Sequence, residues 1–240
     1  MIEIRNRFYT QRFFARKTKL KDLFFPVTYT QYEGDVLSIP FFYKKIPGES
    51  ITLDLTQDLN NLWKGMKSNT RNEIKRAEKE GCEFEYNFDY ESFVPFYNEF
   101  CISKNLNSSV DVQTLAKYDK TIITQVKHDS IILAKHATVV NKEEGCALLL
   151  YSCSMRLKDD VDRKLIGWGN RFLHWKEFEY FQSIGISRYE WNGVCTDPEQ
   201  QEVYKISQFK MGFGGDVKNT MGLRSPLFVL IKNLQKMLHD

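Results

Sequence analysis

The stretch Tyr189-Glu190-Trp191-Asn192-Gly193 is followed, after a polar loop, by Ile206-Ser207-Gln208-Phe209-Lys210-Met211-Gly212-Phe213-Gly214-Gly215. The first part has the length of a strand and ends in a polar residue and Gly. The second part is typical of a helix end, because it breaks on Gly-rich residues directly after an aromatic-Lys pair. A strand followed by such a helix predicts a mixed α/β unit in this part of the chain.

The composition is that of a globular protein. The chain has 240 residues, of which 42% are hydrophobic, enough to bury the core of one large domain or of two lobes. Its 34 Lys and Arg stand against 31 Asp and Glu, so the net charge of +3 gives little reason to expect nucleic acid as a partner.

Neither the cysteines nor the N-terminus indicates secretion or a metal. The five cysteines are an odd number at irregular spacing, which favours reduced thiols over disulfides or a metal site. The first residues carry charges where a signal peptide needs an apolar core, and no apolar run has the length of a membrane span. We therefore expect a cytoplasmic protein with no metal and no membrane insertion.

The order of predicted elements indicates two parts. Residues 1–58 are expected to form a small β-rich lobe that includes a strand at Val36–Tyr43. Residues 59–240 are expected to form the main domain. Periodicity and turn signals predict a helix pair at 60–80, a strand at 82–86 and helices at 91–104 and 112–127. They further predict a hairpin of 130–140 with 146–156, a helix at 170–184, a strand at 188–192, a helix at 198–210, a strand at 216–223 and a helix at 227–238.

Three segments carry a family resemblance: Trp63–Gly81, Gly167–Gly185 and the tail quoted above. In this order they resemble the Fem-type branch of the GNAT superfamily of N-acyltransferases. The resemblance implies an α/β (α+β) fold, with a GNAT-like mixed sheet flanked by helices. The small β-rich lobe before it would then be the remnant of a second GNAT-like unit.

The resemblance also implies an activity. Fem transferases usually carry two complete GNAT-like units, and this chain is too short for both, so it looks more like the sugar N-acyltransferases of this branch. These transfer an acyl group from acyl-CoA to the amine of a nucleotide-linked amino sugar, such as a dTDP-3-amino-3,6-dideoxyhexose, for O-antigen or lipopolysaccharide synthesis. Two alternatives remain: an aminoacyl-tRNA-dependent transferase acting on a cell-wall precursor, and a catalytically silent nucleotide- or carbohydrate-binding module.

The expected donor site is the segment from Lys164 to Asn170. Lys164, Gly167, Trp168, Gly169 and Asn170 are similar to the diphosphate-binding loop of GNAT enzymes, in which Gly lets backbone N–H groups approach the anion before a helix begins. The resemblance assigns acyl-CoA to this loop. The alternative is that the two glycines only form a tight turn between a strand and a helix.

The expected acceptor site is basic. Arg71 and Lys75 belong to a stripe that could bind the diphosphate of a nucleotide sugar, and the alternative is a solvated helix face. Lys210 matches the phosphate-contacting Lys of the family, although it could instead be a cation at a helix C-terminus. Asn192 would lie on the same strand face as Glu190 and offer an amide to the substrate.

Amide formation needs a base for the amine and an acid for the departing thiolate. Glu190 is the leading candidate for the base, with a strand-surface charge as the alternative reading. Tyr204 is the candidate acid, by analogy with GNAT enzymes. His136 is a second candidate base, although a single His is more often structural. The sequence leaves the oligomeric state open.

Overall fold

The computed structural model of the chain describes residues 1–5, 8–106, 108–118, 120–155 and 162–237. The strands are β1 (Ile2–Arg5), β2 (Thr10–Phe13), β3 (Val27–Thr30), β4 (Lys44–Asp54), β5 (Glu83–Asn87), β6 (Thr121–His128), β7 (Ile131–Asn141), β8 (Cys146–Ser154), β9 (Arg188–Val194) and β10 (Asp216–Arg224). The helices are α1 (Leu59–Gly65), α2 (Ser68–Lys79), α3 (Tyr90–Ser103), α4 (Val112–Ala116), α5 (Arg163–Ser183), α6 (Gln201–Met211) and α7 (Pro226–Met237). No helix in these ranges is both long enough and apolar enough to cross a membrane.

The chain forms two compact units. The small unit comprises Met1–Ser50 with Lys218–Asp240, and the large unit comprises Ile51–Val217. The predicted bounds of 1–58 and 59–240 differ from these units mainly at the C-terminal end, where Lys218–Asp240 groups with the N-terminal residues.

In the small unit, the strand order is β1-β2-β3-β10-β4. β2 and β3 run parallel, whereas β1 with β2 and β3 with β10 run antiparallel. The side chains of Arg12 and Asp22 form a buried ion pair that also contacts the hydroxyl of Tyr29. This pair connects β2 and β3 to the 3-10 turn Leu20–Phe24.

The predicted strand at Val36–Tyr43 is wrong. Val36–Ser38 forms a 3-10 turn whose preceding residue, Asp35, accepts a hydrogen bond from the N–H of Leu37 at 2.9 Å. Pro40 follows and has no N–H to donate to a neighbouring strand. The aromatic run that suggested a strand is instead partly exposed, with Phe41 at the surface.

In the large unit, the strand order is β4-β9-β8-β7-β6-β5. β5 to β8 are antiparallel, which confirms the predicted hairpin of β7 and β8; its predicted last residue, Arg156, lies outside the described residues. β8 and β9 are parallel and are connected through α5. The mixed α/β class expected from the sequence is confirmed.

The parallel pair β8–β9 is short. Cys146–Leu148 pair with Arg188–Glu190, and no pairing follows in the described residues, although β8 continues to Ser154 and β9 to Val194. β8 also has a bulge, because Ala137 lies opposite Tyr151 while Thr138 lies opposite Leu149. Beyond their first residues, the two strands are therefore no longer joined by a hydrogen-bond ladder.

The predicted helix at 112–127 is also wrong beyond its first turns. α4 ends at Ala116, and β6 begins at Thr121. The first six residues of β6 are all buried and are rich in β-branched side chains, which favour a strand that is covered on both faces.

The glycine segment of the expected donor loop is helical. α5 begins at Arg163, where the side chain of Asp162 accepts a hydrogen bond from the N–H of Lys164. Gly167 and Gly169 thus lie inside the helix, and the predicted loop conformation is wrong. Gly169 allows close packing, since a Cβ on it would lie 2.8 Å from Cδ1 of the buried Leu133.

Gly169→Ala should therefore lower the free energy of unfolding by about 1–3 kcal/mol, because the methyl group overlaps a side chain that is buried in the sheet. The matched control is Gly167→Ala in the same helix, where the nearest atom to a new Cβ is 3.9 Å away. That variant should gain about 0.5–1 kcal/mol from helix propensity. Urea denaturation followed by circular dichroism measures both, and equal effects would contradict the packing role of Gly169.

Candidate active site

The two faces of β9 have different surroundings. Tyr189 and Trp191 point towards α5, where their rings lie 5.0 Å and 5.9 Å from the ring of Phe178. Glu190 points to the other face, as the alternation of a strand requires. It is also the last residue of β9 that pairs with β8. Glu190 therefore lies where the two parallel strands stop pairing.

The carboxylate of Glu190 is buried and held by β4. Only 2% of the residue is exposed. The hydroxyl of Thr52 donates to its two oxygens at 3.0 and 3.1 Å. Nε of Arg188 lies 3.9 Å from one of them. The alternative reading of Glu190 as a strand-surface charge is thus wrong, because the side chain is enclosed.

Lys210 of α6 binds the backbone of β9. Its Nζ donates to the carbonyl oxygens of Trp191 and Gly193 at 2.9 and 2.8 Å. Burial lowers the pKa of Lys210 to about 8. An ammonium group has three N–H donors, so these two bonds leave one for an anion.

Asn192 interrupts the strand between the two carbonyls that Lys210 binds. Its φ is 65°, and its side-chain oxygen accepts from the N–H of Gly193 at 3.1 Å. Asn adopts this left-handed conformation more readily than most residues. The regular alternation of side chains therefore does not extend from Glu190 to Asn192, and the predicted shared face is not supported.

A second polar cluster lies on the α5 side of the sheet, around the fully buried Glu177. Four groups donate to its carboxylate: the hydroxyl of Thr124, Nδ1 of His136 at 2.9 Å, Nδ1 of His174 at 3.2 Å and the hydroxyl of Tyr189 at 2.9 Å. They come from β6, β7, β9 and α5 itself. We call these five residues the Glu177 cluster.

His136 faces oxygen atoms on both sides of its ring. Nδ1 contacts Glu177, and Nε2 lies 3.0 Å from Oδ1 of Asn170. Both ring nitrogens therefore have hydrogen-bond partners among the neighbouring side chains. With both nitrogens occupied by Glu177 and Asn170, the structure does not support the predicted role of His136 as a base for a bound amine.

Protonation within the cluster follows from burial and charge. Burial alone raises the pKa of Glu177, but the charge of His136 and the hydrogen bonds from both histidines more than reverse this and keep its pKa well below the usual range. Burial, together with the charge of His136, lowers the pKa of His174 to about 3. Burial and the adjacent Glu177 raise the pKa of Tyr189. Near neutral pH, Glu177 is thus ionised, whereas His174 and Tyr189 are neutral.

The same residues are the candidates for a metal site. The ligating atoms of His136, His174 and Glu177 lie within 4.8 Å of one another. Nδ1 of His136 and Nδ1 of His174 already donate to the carboxylate of Glu177, so a metal ion would have to replace these hydrogen bonds. The expectation that the protein uses no metal stays a prediction.

The predicted donor residues are spread along the first two turns of α5. Lys164 is exposed, and the ring of Trp168 lies 5.3 Å from the guanidinium of Arg76. Asn170 contacts His136. The N–H groups of Gly167 and Gly169 lie within the helix, so these glycines cannot form the expected cradle for a diphosphate.

The predicted acceptor residues lie on α2 beside the end of α1. Nη1 of Arg71 donates to the carbonyls of Lys64, at 3.1 Å, and of Met66. Nζ of Lys75 lies 5.9 Å from the ring of Trp63. Arg71 therefore satisfies carbonyls at the end of α1, whatever else it binds. Tyr204 is partly buried on α6.

Sequence reasoning missed Glu177 and Thr52. A signal for Glu177 was present, because His174 and Glu177 lie one turn apart within the aromatic inner face of a predicted helix. A charged residue on such a face needs a partner. No local signal pointed to Thr52, which precedes Glu190 by 138 residues.

Glu177→Gln should destabilise the large unit by about 3 kcal/mol or more, because four buried donors lose a charged acceptor and face an amide that brings its own N–H groups. Glu179→Gln in the same helix is the control. Its carboxylate contacts Lys176 near the surface, and its loss should cost less than about 1 kcal/mol. Chemical denaturation at pH 7 measures the free energy of unfolding of both variants. A similar decrease in the two variants would contradict the structural role of the cluster.

The low pKa of His174 predicts a pH dependence. Between about pH 6.5 and pH 3, the unfolded chain binds a proton at His174 that the folded protein does not bind. The free energy of unfolding should therefore fall as the pH decreases through this window, by up to about 1.4 kcal/mol per pH unit from this group. Urea titrations at several pH values would measure the slope, and His174→Gln should reduce it. An unchanged slope in the variant would refute the prediction.

No model of a known protein family and no curated protein sequence matches the chain. Solved structures do match. FemX aligns with a TM-score of 0.68 and 11% identity over 95% of this chain and 84% of FemX.

Two further solved structures are also similar. The C-terminal domain (DUF2156) of a protein from Agrobacterium fabrum, described as a putative lysylphosphatidylglycerol synthetase, has a TM-score of 0.61 and 12% identity, over 98% of this chain and 84% of that chain. L-PGS from Bacillus licheniformis has a TM-score of 0.61 and 12% identity, over 97% of this chain and 85% of that chain. At such low identity, the likeness concerns the fold alone. The chain therefore shares its mixed α/β fold with FemX and with these two structures.

Proposed function

We propose that the protein is an acyl-CoA-dependent N-acyltransferase that acylates the amine of a nucleotide-linked amino sugar, such as a dTDP-3-amino-3,6-dideoxyhexose, for surface polysaccharide synthesis. The observation that carries the proposal is the position of Glu190. This buried carboxylate lies where the parallel strands β8 and β9 stop pairing.

The strand geometry supports acyl transfer. Where two parallel strands separate, their backbone N–H and C=O groups lose their ladder partners and become available to a bound group. The pantetheine and thioester of acyl-CoA would occupy this opening. The bulge of β8 between Leu149 and Tyr151 would orient a backbone N–H towards the thioester carbonyl.

Glu190 is proposed to act as the base. An acceptor amine is an ammonium ion near neutral pH and loses one proton to solvent before it attacks. Glu190 takes a second proton as the C–N bond forms, while Thr52 holds the carboxylate in place. As the C–S bond breaks, Tyr204 donates a proton to the departing sulfur. The proton on Glu190 then restores Tyr204 through solvent.

The remaining site residues are proposed to bind the substrates. Lys164 at the positive end of α5 would contact the diphosphate of coenzyme A, with Trp168 against the cofactor. This contact replaces the loop that the sequence suggested. The remaining donor of Lys210 would bind an anionic group, and Asn192 would contact the acceptor sugar. Arg71 and Lys75 are assigned to the diphosphate of the nucleotide sugar.

A second candidate, implied by the resemblance to Fem-type transferases, is aminoacyl transfer from a charged tRNA to a cell-wall precursor. The fold that the chain shares with FemX is compatible with it. This reaction also forms an amide bond, and Glu190 would again act as the base. The two candidates differ in the donor, which would be bound through coenzyme A in one case and through RNA in the other.

The test is release of free thiol from a panel of acyl-CoA donors, with and without dTDP-linked 3-amino sugars. Amine-dependent release is expected for the wild type, and Glu190→Gln should lower kcat by about 10²–10⁴-fold because the base is lost. Glu83→Gln, the same change at an exposed residue of β5, serves as the control and should leave turnover unchanged.

Each other outcome has a clear meaning. Undiminished turnover in Glu190→Gln would remove this residue from the mechanism. Transfer from charged tRNA without thiol release would establish the second candidate. Binding of a nucleotide sugar without turnover of any donor would identify a silent binding module.

A further inference from the structure

The 3-10 turn of the small unit exposes large apolar side chains. Leu20 is 79% exposed and Phe24 is 75% exposed, and Phe25, which follows them, is also at the surface. Large apolar side chains that are grouped at the surface usually mark a contact site. The buried side chain of Asp22 fixes the turn through its ion pair with Arg12.

Helix α7 exposes a second apolar row. Leu230, Leu234 and Met237 follow one another at spacings of four and three residues, and all three are exposed, Met237 at 76%. Such spacing places them on one face of the helix. Phe228, in contrast, is buried and contacts Tyr9. The helix is therefore apolar both towards the unit and away from it.

The turn and α7 are joined at Ser225. Its hydroxyl donates to the carbonyl of Phe25 at 2.7 Å and accepts from the N–H groups of Val27 and Phe228. The turn also packs against α7. The exposed side chains of both elements thus belong to one region of the small unit. We call Leu20, Phe24, Phe25, Leu230, Leu234 and Met237 the apolar surface.

In the described residues, the exposed charges on the turn and on α7 are positive. α7 contains two lysines and no acidic residue. In the turn, Lys21 is exposed, whereas the one acid, Asp22, is buried and paired. A surface of protruding apolar side chains flanked by lysines matches the acyl-chain boundary and the anionic headgroups of a bilayer. The surface of a protein partner usually carries charges of both signs, so contact with such a partner would not require positive side chains alone.

We propose that the apolar surface docks the protein on the surface of an anionic lipid bilayer. Leu20, Phe24 and Met237 enter the headgroup region, and Lys21 and Lys232 contact lipid phosphates. The protein stays at the bilayer surface. Its binding depends on the apolar area that enters the bilayer and on the positive charge of the lysines. It is independent of the proposed acyl transfer, and its test contains no acyl donor or acceptor.

The experiment is sedimentation of the full chain with vesicles of phosphatidylcholine that contain about a quarter phosphatidylglycerol, at about 0.1 M NaCl. The wild type should sediment with these vesicles and bind neutral phosphatidylcholine vesicles at least about tenfold more weakly. The double variant Leu20→Ser with Phe24→Ser should reduce binding by at least about tenfold, because two inserted side chains are lost.

Matched controls exist in the large unit. Phe88→Ser with Ile102→Ser removes two side chains of comparable exposure and should leave vesicle binding unchanged. Lys21→Glu with Lys232→Glu should weaken binding by about fivefold or more per residue, whereas Lys104→Glu with Lys142→Glu should have a smaller effect. The charge variants keep the proposal testable if the apolar variant does not fold, since all four lysines are exposed.

Three results would overturn the proposal. The first is equal binding of the wild type to neutral and anionic vesicles. The second is an equal loss of vesicle binding in the test variants and in their control variants. The third is a wild type that does not bind vesicles but forms dimers, which the double variant Leu20→Ser with Phe24→Ser disrupts. The last result would assign the apolar surface to a contact between copies of the chain.

Discussion

The fold of the large unit depends on a single buried carboxylate. Glu177 lies in the middle of α5 among aromatic side chains, where an ionised group without partners would cost several kcal/mol. Its four donors come from three strands and from α5 itself. The helix can satisfy Glu177 at one position along the sheet only, so this cluster determines where α5 lies. Gly169 then sets how closely the helix approaches β7.

The position of α5 determines the geometry of the candidate site on the opposite face of β9. Tyr189 donates to Glu177, and Trp191 packs against His174, so the inward face of β9 is fixed by the cluster. The alternation of the strand then directs Glu190 to the other side, where Thr52 binds it. Lys210 fixes the end of the same strand through two carbonyls. One strand thus connects the structural cluster on one face with the proposed base on the other.

The two compact units differ in what they expose. The large unit buries the carboxylates of Glu177 and Glu190 in hydrogen-bonded groups and carries every residue proposed for acyl transfer. The small unit has its own core around Val27, Tyr29 and Tyr43, yet it leaves large apolar side chains at the surface. The large unit also exposes single apolar side chains such as Phe88 and Ile102, whereas those of the small unit are grouped on the 3-10 turn and α7. This grouping suits the proposed attachment through the small unit.

Elements with local signals can be predicted from the amino-acid sequence. The strand at Arg188–Val194, the β7–β8 hairpin and the helix end before Gly214 follow from alternation, turn residues and capping, which act over a few neighbours. Local signals gave wrong predictions at two places, the strand at Val36–Tyr43 and the helix at 112–127. An exposed aromatic run resembled a strand in the first case, and a strand buried on both faces lost its alternation in the second.

The chemistry of the candidate site depends on how distant segments of the chain pack together. The Gly-x-Gly pattern at 167–169 is compatible with a loop or a helix, and the packing of Gly169 on Leu133 favours the helix. The partners of Glu190 and Glu177 lie up to 138 residues away, and no periodicity or spacing encodes contacts over such separations. Local pattern determines which residues form strands and helices, because backbone hydrogen bonds and side-chain spacing act at short range. Which polar groups meet in the core depends on how the finished elements pack.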